Sequence, residues 1–286
     1  TGMKTLEKYF HCLTRFCKFM SKKFIAGGCS FTFGHELSDD DNGRYPSKKT
    51  WAYGLYEKSG CNEFVCTANP GSGNSGIARR IFKHLAKHDR NDIGCVVAMW
   101  SFNSRYDWAM PRHSKLEDTR WTSISPWDID SKQAEVFEKL ENSEGQQEQW
   151  LRTHQRYTET GVKDFAEAIY KYAANEYHET YLSWKSIIWL QNILEKKEIP
   201  YMFTLADNSL FYANFNHHKN QDTFMDCLHN EIDLTKWFSF GERMMGFNQW
   251  ASLEDYEYGT THPLDKAHED AVQLMLPTFN KLIGGK

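Results

Sequence analysis

No stretch of this chain stays apolar for the roughly 20 residues that a membrane-spanning helix needs. A typical strand-like run, Cys95-Val96-Val97-Ala98-Met99-Trp100, is far shorter. Charge of one sign is not in excess either. Lys and Arg total 34 against 38 Asp and Glu, a net charge of −4 with a pI near 6.3, which argues against a surface built throughout for nucleic acid or anionic membrane. The seven cysteines (Cys12, Cys17, Cys29, Cys61, Cys66, Cys95 and Cys227) are odd in number and include no CxxC pair. They read as reduced, mostly buried thiols. His217-His218 has no cysteine at finger-like spacing, so no metal is expected, and no cofactor. The stretch from Lys4 to Met20 is apolar at helical spacing, but charges interrupt it and a small-residue cleavage site is missing, unlike a secretory signal. These features lead to the expectation of a cytoplasmic protein.

What the chain has in plenty is aromatic rings, 15% of its residues. Rings bury much area each and also line apolar pockets, so a large core and a ring-lined cleft are both expected. The order of elements alternates. Lys23 to Gly28 is a short apolar run ending in glycine, and Thr50 to Lys58 carries Trp51, Leu55 and Tyr56 on one side. Glu63 to Thr67 reads as a second strand, Gly76 to His88 as a helix with Ile77, Ile81, Phe82 and Leu85 in register, and Ile93 to Trp100 as a buried strand. A long helical segment spans 131–197, a strand runs from Tyr201 to Ala206, and Leu264 to Leu282 closes the chain as a helix. Strands separated by helices predict an α/β fold, a three-layer sandwich around a mainly parallel sheet. The expectation is one domain over 1–286, with the 131–197 segment an insertion beside the sheet.

In open α/β sheets ligands bind beyond the carboxyl ends of the strands. That rule singles out the loops Cys29 to Gly34, Asn69 to Gly76, Ser101 to Arg105, and Asp207 onward. The first three hold what acyl transfer needs: a serine directly after a strand, a glycine whose N–H is unobstructed, and an asparagine amide. Thr261-His262-Pro263, just before the last helix, supplies a base. The Gly-rich turn has neither the GxGxxG nor the GxxxxGK[ST] arrangement, which leaves nucleotide binding the weaker reading. The run Asp39-Asp40-Asp41 reads as solvated loop.

Taken together in chain order, these blocks resemble the SGNH, or GDSL-type, hydrolase superfamily over nearly the whole chain. Gly28-Cys29-Ser30-Phe31-Thr32-Phe33-Gly34 is similar to the first block, with Ser30 in the nucleophile position. Asn69-Pro70-Gly71-Ser72-Gly73-Asn74-Ser75 is similar to the second, whose glycine N–H joins the oxyanion hole; Gly73 is the choice there, Gly71 the alternative. Ser101-Phe102-Asn103 stands in the place of the Gly-x-Asn block, which implies Asn103 as the side-chain oxyanion donor. His262-Pro263 resembles the last block, in which the His before Pro is the base. The run around Trp100 to Arg105 and the helical insertion resemble versions of this fold from tailed phages of marine bacteria.

The chain departs from the family pattern at three places. Cys29 replaces the Asp before the nucleophile, Ser101 replaces the Gly of the third block, and Gly259 falls where the acid three residues before the His belongs. A glycine cannot orient an imidazole, which leaves Asp255, Glu257 or Asp265 as substitutes, or a Ser30–His262 dyad. The resemblance implies a serine esterase or acylhydrolase acting on a small-molecule or glycan ester, with Trp100 and Arg105 lining the substrate cleft. It implies no nucleic-acid or membrane partner. The alternative is a degenerate binding or virion-associated module, in which Ser30 and His262 would sit beyond hydrogen-bond reach.

Overall fold

A computed structural model describes residues 22–110, 121–129, 158–212 and 223–284. The segment before Lys22, most of the first half of the 131–197 segment, and His217-His218 lie outside them. Four strands, β1 (Lys23–Gly27), β2 (Glu63–Cys66), β3 (Ile93–Trp100) and β6 (Tyr201–Leu205), pair in parallel in the order β2-β1-β3-β6. Strands β4 (Tyr106–Ala109) and β5 (Trp121–Ile124) make a separate antiparallel pair.

The parallel sheet is covered on both faces, and the period of two along its strands sorts the side chains. Phe24, Ala26, Cys95, Val97 and Met99 point to one face, where α2 (Trp51–Lys58), α8 (Phe247–Leu253) and α9 (Asp265–Ile283) bury Trp51, Phe247, Trp250, Met275 and Phe279. Ile25, Val96, Ala98 and Trp100 point to the other, against Ile77, Ile81 and Leu85 of α3 (Asn74–Lys87) and Trp184, Ile187, Leu190 and Leu194 of α5 (Glu176–Lys196). This is the three-layer α/β/α architecture expected. The predicted strands, and the predicted helices outside 131–197, fall within a residue or two of those seen, because each combines an unbroken or periodic apolar run with a clear stop. Thr50, for example, caps α2 by accepting the Tyr53 N–H at its side chain.

The expected insertion is narrower than the sequence suggested. Helix α5 is part of the sheet's own cover, because a parallel strand such as β6 needs a crossover helix after β3. Among the described residues, only α4 (Val162–Tyr172) and the β4–β5 pair stand apart, packed on each other through Tyr106, Met110, Ile124, Val162 and Ala166. Short helices α1 (Ser30–Phe33), α6 (Ser209–Tyr212) and α7 (Thr223–Asn230) complete the described α-helices. Among the described residues no helix is long and apolar enough to cross a membrane, and the five described cysteines are free thiols.

Candidate active site

Strand β1 ends at Gly27, and Ser30 opens the single turn of α1 at its carboxyl end, 6% exposed. His262 reaches the same point from the loop ahead of α9. Its Nε2 lies 2.7 Å from Ser30 Oγ, and the pair is buried. The remaining ring nitrogen decides the tautomer. His262 Nδ1 is 3.1 Å from Glu36 Oε2 and 2.9 Å from Thr261 Oγ1. A carboxylate only accepts, so the Nδ1 proton points at Glu36 and Nε2 is left with a lone pair facing the serine hydroxyl.

The carboxylate on His262 is therefore that of Glu36, a residue the sequence reading missed. Asp255, Glu257 and Asp265 do not take that place. Asp265 is committed elsewhere, accepting from the Ser38 N–H at 3.0 Å and from Lys49 Nζ at 2.7 Å. Glu36 sits six residues beyond Ser30, in the loop that follows α1, at φ = 70°. That is left-handed backbone, which costs a non-glycine residue about 1–2 kcal/mol. The loop is fixed by Asp40, whose carboxylate accepts the N–H groups of Glu36 at 2.9 Å and Gly43 at 2.8 Å. Asp39 accepts the Lys48 N–H at 2.9 Å and the Ser47 hydroxyl. Two members of the acidic run are thus loop-forming groups, not merely solvated ones.

Gly259 explains why the acid can come from so far away in sequence. A Cβ at this position would stand 2.6 Å from Glu36 Oε2, so the glycine vacates the volume the carboxylate occupies. The Thr261 and His262 N–H groups donate to the same oxygen at 3.0 and 3.1 Å. Burial opposes the charge on Glu36, but the His262 side chain and these two N–H groups outweigh it and hold the carboxyl below its ordinary value. His268, six residues beyond His262, is structural. Its Nδ1 accepts the Trp51 N–H at 3.1 Å, and burial with the neighbouring His262 pushes its imidazolium down to about 3.

The second and third blocks lie beside β1 but are tied mainly to one another. The Asn69 N–H donates to Gly28 O at 3.2 Å, fastening the second block to the first. Asn74 clamps the third: Oδ1 accepts the Ser101 N–H at 2.8 Å while Nδ2 donates to Ser101 O at 3.0 Å. Helix α3 begins at Gly73 with no side-chain cap of its own, and Asp107 fills that role from β4 by accepting the Gly76 N–H at 2.8 Å and the Ser75 hydroxyl at 3.0 Å. Gly73 is obligatory there, since its Cβ would lie 2.6 Å from Arg105 O. Half-buried Arg80 donates to Thr67 O at 2.9 Å and to the Ser72 hydroxyl, bracing the turn from within.

Asn103 is half-buried and directs Nδ2 toward Thr180 Oγ1 at 3.4 Å, a long contact that leaves an amide proton for another acceptor. Arg105 donates to Ser101 Oγ at 2.9 Å and stacks on Phe102 with its guanidinium carbon 4.7 Å from the ring centre. It does not pair with Asp107, whose oxygens are taken. Trp100 lines no cleft: it is fully buried, edge-on to Phe203 at 5.3 Å, because even positions of β3 face α3 and α5. Phe102 is the ring nearer the chemistry. It lies 6.4 Å from Phe31, which stands 4.8 Å from the His262 ring.

A parallel α/β sandwich with a buried Ser–His–Glu relay at the end of its β1 strand is the class of molecule described so far. No protein-family model matches the chain, and no curated protein matches it. Solved structures similar to it include an esterase, a member of a lipolytic protein family and a lipase. A psychrotrophic esterase, EstA from Pseudoalteromonas sp., is 9% identical with a TM-score of 0.43, covering 92% of this chain and 100% of its own. A member of the lipolytic G-D-S-L family from Veillonella parvula is 10% identical with a TM-score of 0.42, covering 91% and 100%. A lipase from a goat rumen metagenome is 10% identical with a TM-score of 0.42, covering 90% and 97%.

Proposed function

We propose that this protein is a serine ester hydrolase in which Ser30 is the nucleophile, His262 the general base and Glu36 the acid that orients it. One observation carries the reading: the 2.7 Å contact of Ser30 Oγ with His262 Nε2, with Glu36 on the other ring nitrogen. As Oγ attacks the ester carbonyl carbon, Nε2 takes the hydroxyl proton and Glu36 stabilises the imidazolium that forms. The carbonyl oxygen gains charge and is met by the N–H groups of Ser30 and Gly73 and by the Asn103 amide. Each such donor is worth about 3–4 kcal/mol of transition-state stabilisation. His262 then returns the proton to the departing alcohol, and water, activated by the same imidazole, releases the acyl group.

The substrate class is a short acyl ester or an O-acetyl group on a glycan, with Phe102 and Arg105 beside the entrance. The competing reading, a degenerate binding or virion-associated module, expects Ser30 and His262 far apart, and their hydrogen bond argues against it. The test is turnover of p-nitrophenyl acetate together with covalent labelling by a fluorophosphonate. Labelling confined to Ser30, and lost in His262→Ala, is the expected result. Folded protein that neither labels nor turns over the ester would overturn the proposal.

A further inference from the structure

One residue beside the relay has no part in the mechanism. His35 lies edge-on to His262 with ring centres 5.6 Å apart, and its Nε2 is 3.8 Å from Asp40 Oδ2. One ligating atom from each of His35, Glu36 and His262 can be chosen so that all lie within 4.8 Å of one another. Two imidazoles and a carboxylate are a donor set that suits zinc, with a fourth position left for water.

We propose that His35, Glu36 and His262 form an inhibitory site for a divalent transition-metal ion of zinc type. The existence of the site stands on this cluster alone; its effect on turnover rests on the hydrolase reading. Tetrahedral zinc with bonds of about 2.0–2.1 Å sets its ligand atoms about 3.4 Å apart, so the cluster must contract to close on the ion. His35 supplies that movement. Its side chain is 23% exposed, against 10% for His262 and 8% for Glu36, which are packed in place. Asp40 stands behind His35 as the outer carboxylate that commonly orients a ligating imidazole.

The ion takes His262 through Nδ1, on the Glu36 edge, and the ring's single proton moves to Nε2, the nitrogen that faces Ser30. Glu36 then ligates the metal instead of balancing an imidazolium. A dication on Nδ1 holds that proton on Nε2, so Ser30 loses its base. Bound metal therefore stops the reaction without touching the nucleophile.

The experiment titrates Zn²⁺ into the metal-free full chain while following p-nitrophenyl acetate turnover, and repeats it with His35→Gln. Zinc should suppress turnover of the wild type and a chelator should restore it. His35→Gln should keep its metal-free rate while losing about tenfold or more in sensitivity to zinc. Absence of inhibition, or equal inhibition in the variant, overturns the proposal. Binding is read separately by competition with a chromophoric zinc chelator. If metal-free protein proves inactive and unlabelled, the hydrolase reading fails on its own; one tight zinc fewer in His35→Gln still supports the site, and equal binding overturns it.

Discussion

The Ser30 side and the Gly73–Asn103 side of the site are built on opposite plans. Around Ser30 the polar groups face the reacting atoms: Glu36 holds His262, and His262 holds the hydroxyl. Around Gly73 and Asn103 they face each other. Asn74 is spent on Ser101, Asp107 on Gly76 and Ser75, Arg105 on Ser101, and Arg80 on Thr67. One side carries the chemistry in a few strained, buried contacts, the other keeps the backbone in register through many satisfied ones. Substitutions on the first side should change rate more than stability, and on the second the reverse.

The strongest test of that contrast is Ser30→Ala. It should erase fluorophosphonate labelling and lower p-nitrophenyl acetate turnover by about 10⁶-fold, the scale of losing a nucleophile that acts as part of a relay. His262→Ala should match it, and the double variant should be no worse than either single one, because the two act as a unit. The melting temperature should stay near that of the parent in Ser30→Ala and fall in His262→Ala, which strips the buried Glu36 carboxylate of a partner.

Glu36→Gln comes next. An amide cannot balance an imidazolium and can also turn the ring toward the wrong tautomer, so turnover should fall by about 10⁴-fold with labelling slowed in proportion. The same change has a pH signature. Because folding lowers the Glu36 pKa, its contribution to stability is present above the ordinary value of 4.5 and is lost as the pH falls through the lower folded value. The wild type should therefore lose melting temperature across that acid range more steeply than Glu36→Gln. Equal slopes would show that the carboxylate is not held as described.

Asn103→Ala decides where the Gly73–Asn103 side stops being scaffold. If its free amide proton meets the oxyanion, turnover drops about 10²-fold with KM little changed. If its only role is the 3.4 Å tether to Thr180, turnover should hardly move. Asn74→Ala should do the converse. Removing the clamp leaves the buried Ser101 N–H and carbonyl without their partner, at a cost of about 2 kcal/mol, roughly thirtyfold in the folding equilibrium, read by denaturant titration.

How much of this could be read from the sequence follows the same division. The strands and their covering helices were legible because an apolar run or a helical period states a burial pattern directly, as in Ile93–Trp100 and α3. Ser30 and His262 were legible from their order and their loops. Glu36 was not, because nothing local marks it. It is one glutamate in a polar loop, and its role depends on a left-handed φ and on the space left by Gly259, more than two hundred residues away. The missing acid at position 259 was in fact the signal, since a glycine where a carboxylate belongs is also room for a carboxylate from elsewhere. Trp100 failed for a different reason. Position along β3 predicts nearness to the site, but its side chain alternates to the far face.

The smallest expected effect separates Glu36 from the acids that lie closer to His262 in sequence. Asp265→Asn should leave turnover unchanged, as should Asp255→Asn and Glu257→Gln. Asp265 is nevertheless an ionised group with a job. Burial opposes its charge, yet bonds from Lys49 and from the side chain and N–H of Ser38 bring its pKa down to about 2. A lowered pKa adds stability above the ordinary value of 3.8 that disappears as the pH falls toward 2. Water screens this pair, so the loss in Asp265→Asn should be a slight drop in melting temperature at neutral pH that vanishes near pH 2. Melting curves and initial rates on the same samples would read both. A rate loss approaching that of Glu36→Gln would return the acid to the last block and break the division between the two sides of the site.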